Sequence, residues 1–335
     1  MAQTSFLGDT VLSTPVIAAI KRLYPESELW MMTTPAAKQL VEYDPLLAGV
    51  ITFSKRGSEA GISGIFRKAR ELRSYGFDVA YSLHRSYRTS LLLTAARIPL
   101  RIGFKDARLS GLYHRTVQRP LALHEVLRNL SIVERERVER GLESFDEDLR
   151  LHVAQPSVER PFMKQLRTDG PGIAVLVPGS VWATKRWNWE GYRRTAQELL
   201  ASGMQVVLLG SADESEICSK VAEELPLMNL AGQLSLQESM YVIKAARLVV
   251  CNDSLALHMA SSFKTPAVAV FCATSPAFGF GPWKNRGLVV EQEGLSCKPC
   301  RRHGSMRCPT GTEACMKLPA ERVIAAAQKV LAGRD

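Results

Sequence analysis

Apolar stretches with the two-residue period of strands and the longer period of helices take turns along the chain. Residues 3–7 form a short apolar start followed by Gly8-Asp9. Leu12, Val16, Ala19, Ile20 and Leu23 then recur at helical spacing, which predicts strand, tight turn, helix. Further strands are predicted at 28–33, 49–53 and 78–83, with helices at 35–43, 61–75 and 86–95 between them. Such alternation favours a parallel sheet covered by helices. After a polar stretch at 154–171 the alternation resumes. A buried-type strand at 173–177 runs into Pro178-Gly179-Ser180, and a helix at 192–201 is ended by Gly203. Strands at 205–209, 248–251 and 267–271 follow, interleaved with helices at 212–224, 236–246 and 254–262, and a helix at 319–331 closes the chain. No fixed-period repeat of about 20 to 50 residues is present. The expectation is an α/β chain of two domains, 1–160 and 161–335, with the boundary in the polar stretch and the terminal helix free to pack back on the first domain.

Composition agrees with two packed domains: 335 residues, 46% hydrophobic and 23% charged. No apolar run approaches the roughly 18 residues that span a bilayer, and Met1-Ala2-Gln3-Thr4 lacks the regions of a signal peptide, so a cytosolic chain is expected. A net charge of +10 asks for an acidic partner: nucleic acid, an anionic membrane or a phosphorylated substrate. Between Arg85 and Arg119 the basic residues Arg85, Arg88, Arg97, Arg101, Lys105, Arg108, Arg115 and Arg119 face the single acid Asp106. This stretch reads either as an anion-binding face or as solvated surface. Neither zinc-finger spacing nor an aromatic RNA-binding pattern accompanies it, so no nucleic-acid partner is expected.

Candidate chemistry collects where the strands end, at Gly8-Asp9-Thr10, Pro178-Gly179-Ser180, the stretch from Gly210 to Glu214, and Asn252-Asp253-Ser254. None is a Walker A loop or a G-x-G-x-x-G fingerprint, which disfavours P-loop nucleotidases and ordinary dinucleotide dehydrogenases. Phosphate binding would instead use helix N-termini, where unpaired N–H groups and partial positive charge suit a diphosphate. Asn252, Asp253 and Ser254 could supply that site or simply cap a helix. His258, one helical turn beyond Ser254, either leans toward the same ligand or sits in the core. Lys185 and Arg186 can neutralise a leaving diphosphate in place of a metal, or form a solvated basic turn beside structural Trp187 and Trp189. Asp9 can take the proton of an attacking sugar hydroxyl, or cap the following helix.

Three of these motifs carry a resemblance. The opening from Gln3 to Pro15, Pro178-Gly179-Ser180 with Lys185-Arg186-Trp187, and Asn252-Asp253-Ser254-Leu255-Ala256-Leu257-His258 closely resemble glycosyltransferase family 9, the ADP-heptose:lipopolysaccharide heptosyltransferases. The resemblance spans nearly the whole chain. It implies a GT-B fold, two Rossmann-like domains facing each other across a cleft, that transfers heptose with inversion and without a metal cofactor. ADP-heptose would be the donor, bound by the second domain, and the lipopolysaccharide core the acceptor, bound by the first. It further implies Asp9 as general base. Gly8 and Thr10 beside it are expected on the acceptor side, and so are Arg85 and Arg88, because the basic stretch ending a first-domain strand would meet phosphates or acidic sugars of the core. Ser180, Lys185, Arg186, Asp253, Ser254 and His258 would hold the donor, and Glu214 its ribose. Peripheral contact with the cytoplasmic face of the inner membrane fits such an acceptor. Many members have Gly after the Asp-Ser pair, where this chain has Leu255, which sets it in a subgroup.

Cys218, Cys251 and Cys272 read as small buried residues. Cys297, Cys300, Cys308 and Cys315 form C-x2-C-x7-C-x6-C in one loop, a spacing open to a structural metal cluster. Two other functions stay open: transfer or epimerisation of another nucleotide sugar, and a non-catalytic sugar-nucleotide-binding module.

Overall fold

The computed structural model describes all residues except Arg56, Ser58, Ser157, Val158, Glu159, Thr168, Asp169, Arg334 and Asp335. Five of these belong to the polar stretch expected to carry the domain boundary, so that part of the expectation lies outside the described residues. The chain divides into two compact units, Met1–His152 and Val153–Asp335.

In the first unit the strands are β1 (Trp30–Thr33), β2 (Gly49–Thr52), β3 (Val79–Ser82), β4 (Leu100–Phe104) and β5 (Arg115–Val117), all parallel. Ala2 makes parallel bridges to both Met32 and Ser82, so it acts as the central first strand and joins the two strand groups β2-β1 and β3-β4-β5. In the second unit β6 (Ile173–Val177), β7 (Gln205–Leu208), β8 (Met228–Asn229), β9 (Leu248–Asn252), β10 (Ala267–Phe271) and β11 (Gly287–Glu291) pair as β11-β10-β9-β6-β7-β8. Counting strand positions along each unit, both follow the order 3-2-1-4-5-6 of a doubly wound nucleotide-binding sheet. The fold is therefore α/β with two Rossmann-like domains, as expected.

Residue chemistry explains the second sheet. β9 and β10 read LVVCN and AVAVF and are buried along their whole length, as befits central parallel strands with helices on both faces. The helix Trp189–Ala201 begins where Asn188 Oδ1 accepts the Gly191 N–H at 2.6 Å. A Cβ on Gly191 would fall 2.2 Å from the Trp187 ring, so glycine alone lets this first turn press against the buried indole. Trp187 is wholly buried and donates Nε1–H to Leu318 O, the structural part expected of it. The terminal helix Ala320–Leu331 buries Val323, Ala327 and Val330 in the second unit's core, against helix Trp189–Ala201 and strand β10.

Three expectations are corrected. Residues 3–7 are not a strand: the strand contact is at Ala2, Phe6 is exposed, and a helix starts at Leu7. Gly8 and Asp9 accordingly lie inside helix Leu7–Leu12 rather than in a tight turn. The run of basic residues is not one surface. Arg101 turns to the carbonyls of Ile98 and Leu112, Arg115 pairs with Glu136, and buried Arg119 pairs with Glu125, which also holds Arg128. The acids that neutralise these arginines come from helices later in the chain, which a count within the run cannot include.

Candidate active site

In a doubly wound sheet, ligands bind beyond the carboxyl ends of the strands where the strand order reverses. In the second unit that point lies between β6 and β9, whose ends are in register, Val177 beside Cys251. The loops Pro178-Gly179-Ser180 and Asn252-Asp253-Ser254 therefore emerge side by side, and Asn252 stitches them together. Its Nδ2 donates to Pro178 O at 2.8 Å and Gly179 O at 3.2 Å, and its Oδ1 accepts the Trp187 N–H at 2.9 Å.

Asp253 receives Lys185 Nζ at 2.7 Å and the Thr274 hydroxyl at 2.7 Å, both on Oδ2. The ion pair is largely buried, with 14% and 7% of the two side chains exposed. Ser254 occupies the N-cap position of helix Leu255–Ser262 in extended backbone but makes no side-chain cap bond, and its Oγ is buried without a hydrogen-bond partner. Thus none of the three polar residues caps this helix through its side chain. The result is a helix start, an ammonium and an unsatisfied hydroxyl at one sheet crevice, a set of donors fit for an anion. His258 is buried on the same helix.

Arg186 donates Nε to Ser180 O at 2.8 Å, so it braces the loop after β6. Glu214 closes a capping box, accepting Ser211 N at 2.8 Å and Ser211 Oγ at 3.0 Å on Oε2. Its carboxylate lies so close under Gly179 that a Cβ there would sit 2.2 Å from Glu214 Cδ. Donor-side residues predicted from three separate stretches are thereby brought together: Ser180, Lys185, Arg186, Glu214, Asp253 and Ser254.

In the first unit the order reverses between Ala2 and β3, and again the following segments meet. Asp9, at the third position of its helix, accepts Ser5 Oγ at 2.7 Å and Phe6 N at 3.3 Å. Thr10 is fully buried, its hydroxyl turned to Phe6 O and Thr33 Oγ1, so it supports this helix rather than offering a surface. Across the reversal, His84 Nδ1 meets Thr4 Oγ1 at 2.9 Å, Thr89 Oγ1 at 2.8 Å and Lys55 Nζ at 3.0 Å. The ammonium, closer to Nδ1 than to Nε2 at 3.5 Å, favours the tautomer in which Nδ1 accepts. Burial, then the charges of Lys55 and Arg85, push the imidazole down to about 3. Lys55 Nζ also donates to Thr4 O at 2.6 Å, and burial, then Arg88, lowers its ammonium to about 8. Arg88 reaches Lys55 O at 3.1 Å, whereas Arg85 pairs with Asp106 at 2.8 Å.

The sequence matches a known family over most of its length. Residues 65–309 fit the family model described as glycosyltransferase family 9 (heptosyltransferase). The chain belongs to glycosyltransferase family 9. As a member it is a glycosyltransferase of the heptosyltransferase type. It is 26% identical to lipopolysaccharide heptosyltransferase 2 of Salmonella typhimurium over 82% of each chain. To lipopolysaccharide heptosyltransferase 3 of Escherichia coli it is 26% identical over 97% of this chain and 95% of that one. Among solved structures, a family 9 glycosyltransferase from Veillonella parvula superposes with a TM-score of 0.85 at 22% identity, covering 99% of this chain and 96% of that one. An E. coli heptosyltransferase solved with ADP superposes at 0.73 with 18% identity, covering 98% of both chains, which extends the shared GT-B fold.

Sequence reading missed Lys55 and His84 as a pair. Lys55 stands alone in a loop, and only the bond to Thr4, beside the Asp9 segment, gives it significance. The signal was a cation after a predicted strand end. The four clustered cysteines are free thiols, and among the described residues no group of His, Cys, Asp and Glu is arranged to hold a metal ion. Their loop braces the donor side instead: Ser305 O accepts Thr184 N at 3.0 Å, Cys300 N donates to Ala273 O at 2.9 Å, and Gly304 lies against Lys185. Cys218, Cys251 and Cys272 are buried, as expected.

Proposed function

We propose that this family 9 enzyme transfers heptose from ADP-heptose to the lipopolysaccharide core by a single inverting displacement that needs no metal. The observation that carries the donor reading is the buried Lys185–Asp253 pair beside the unpartnered Ser254 hydroxyl at a helix start. Relatives named as lipopolysaccharide heptosyltransferases, and one solved with ADP, support the substrates.

In this mechanism Asp9 takes the proton of the acceptor hydroxyl as its oxygen attacks the anomeric carbon. The new oxygen–carbon bond forms on the face opposite the departing ADP, and the electron pair of the broken bond goes to the diphosphate. Lys185 and the N–H groups before helix Leu255–Ser262 neutralise that charge, the task a metal performs in other transferases. Ser254 donates its hydroxyl to the same group, Asp253 holds Lys185 and accepts a sugar hydroxyl, and Glu214 takes the ribose. Ser180 and Arg186 shape the loop, and His258 packs beneath it. Gly8, Arg85, Arg88 and Lys55 serve the acceptor, which is lipid-linked, so the enzyme works against the cytoplasmic face of the inner membrane.

The test is incubation with ADP-heptose and heptose-deficient lipopolysaccharide in excess chelator, followed by mass spectrometry and NMR of the new linkage. One added heptose of inverted anomeric configuration is expected. Transfer restored only by added metal, retention of configuration, or transfer solely from another nucleotide sugar would each overturn the corresponding part.

A further inference from the structure

Two neighbouring helices of the first unit share an unusual outer face. Gly61–Ser74 and Tyr87–Ala95 each start just beyond a strand's carboxyl end, after β2 and β3, and they pack against each other. In the first turns of one, Ile62 and Phe66 are 74% and 62% exposed; in the first turns of the other, Tyr87 and Leu91 are also exposed. Both pairs are spaced i, i+4, so each pair forms a stripe on one face. Because parallel strands aim both helix starts the same way, the four apolar side chains lie at one end of the unit. Phe6 and Leu109, in segments that also follow strand ends, are exposed as well.

Charge says what covers this face. Helix Gly61–Ser74 carries Arg67, Lys68, Arg70 and Arg73; buried Lys68 is taken up by Glu59 and Glu71, each at 2.7 Å, and Arg73 turns to Ala95 O, which leaves Arg67 and Arg70 as the exposed cations nearest the apolar stripe. Arg67 and Arg70 are exposed further along the helix than Phe66, and Lys105 and Arg108 are exposed beyond β4. A bilayer surface offers acyl chains to Ile62 and Phe66 and, at the same depth, phosphates to the guanidinium groups.

We propose that the helix starts at Ile62, Phe66, Tyr87 and Leu91, flanked by Arg67 and Arg70, dock this enzyme on an anionic phospholipid bilayer. The proposal extends the reading that the acceptor is lipid-linked, yet it is testable without any acceptor. No helix among the described residues is long and apolar enough to cross a membrane, so the attachment is interfacial.

The experiment is vesicle flotation with the full chain, on phosphatidylcholine alone and on phosphatidylcholine with about one-third phosphatidylglycerol. The protein should float with the anionic vesicles and lose binding in high salt. Ile62→Ser with Phe66→Ser should weaken partition about tenfold, by removing apolar area from the interface. Arg67→Gln with Arg70→Gln should weaken it about tenfold on anionic vesicles only. All four positions are exposed, so the melting temperature and the shift produced by ADP should stay as in the wild type. No flotation of the wild type, or equal flotation of the variants, overturns the proposal. So does a serine pair that splits an oligomer in light scattering while leaving vesicle binding intact, which would make the face a contact between copies. Normal flotation in a protein that transfers no heptose would defeat the functional reading alone.

Discussion

The two units thread six strand positions in the same order, yet they arm the point of reversal in opposite ways. In the second, Lys185 meets the Asp253 carboxylate at 2.7 Å, and the pair is complete before any ligand arrives. In the first, Lys55 rests on a carbonyl and a neutral imidazole, and the cost of burying its charge shows as an ammonium lowered to about 8. A compensated cation keeps its geometry and supplies a fixed field, which suits a leaving group whose charge appears only as the bond breaks. An uncompensated one gains most when an anion arrives, which suits recognition of an acidic acceptor.

The largest effect expected lies on the chemistry itself. Asp9→Asn preserves size and can still accept the Phe6 N–H through its amide oxygen, so the helix start survives while the base is lost. Turnover should fall about 10²-fold or more, with ADP affinity and melting temperature near normal. Near-normal turnover would remove Asp9 from the mechanism, and a fall in melting temperature alone would leave it a capping residue.

Next in size is the compensated pair. Lys185→Ala leaves the Asp253 carboxylate buried with only Thr274 for company, and breaking such a pair costs about 3 kcal/mol. It should lower the melting temperature as well as weaken ADP about tenfold or more. The double variant Lys185→Met with Asp253→Leu, which removes both charges, should recover much of the stability but not the ADP binding. If stability and ADP affinity recovered together, the pair would be a strut rather than a diphosphate contact. A smaller loss is expected of Gly179→Ala, whose Cβ displaces the Glu214 carboxylate from Ser211. Losing that capping box costs about 1 kcal/mol. ADP affinity should fall severalfold while AMP-free diphosphate binding holds, if Glu214 takes the ribose.

The second unit was largely readable from sequence because its strands are long apolar runs with turn residues at their ends. The apolar run 267–271 coincides with β10, and the run 248–251 is one residue shorter than β9. The first unit was harder. Its leading strand is reduced to the contact at Ala2, and Phe6, which suggested a strand, faces solvent. Strands β5, β8 and β11 lie at sheet edges, and β4 carries Arg101 at its second position, so the apolar signal is short or interrupted. Site residues were legible as types at strand ends, but their partners were not. That Asp253 would hold Lys185, or that Glu136 would absorb Arg115, depends on contacts between segments distant in sequence, and even the near pair Arg119–Glu125 depends on how the intervening turn folds.

The smallest effect expected is a pH dependence at Lys55. Lys55 is charged well below pH 8 and loses its proton as pH rises through about 8, whereas phosphates of an acceptor stay anionic over that range. If Lys55 binds the acceptor, its apparent KM should rise severalfold between about pH 7 and 9, and Lys55→Gln should show a high KM that no longer follows this titration. Stability moves the other way. The unfolded chain keeps the Lys55 proton up to the ordinary value of 10.5 while the folded one gives it up near 8, so the unfolded state binds more protons between those values. Relative to Lys55→Gln, the wild type should therefore gain stability with rising pH across that window as it loses acceptor affinity. A KM that stays flat in the wild type, or that rises equally in Lys55→Gln, would show that the half-buried ammonium serves the loop and not the acceptor.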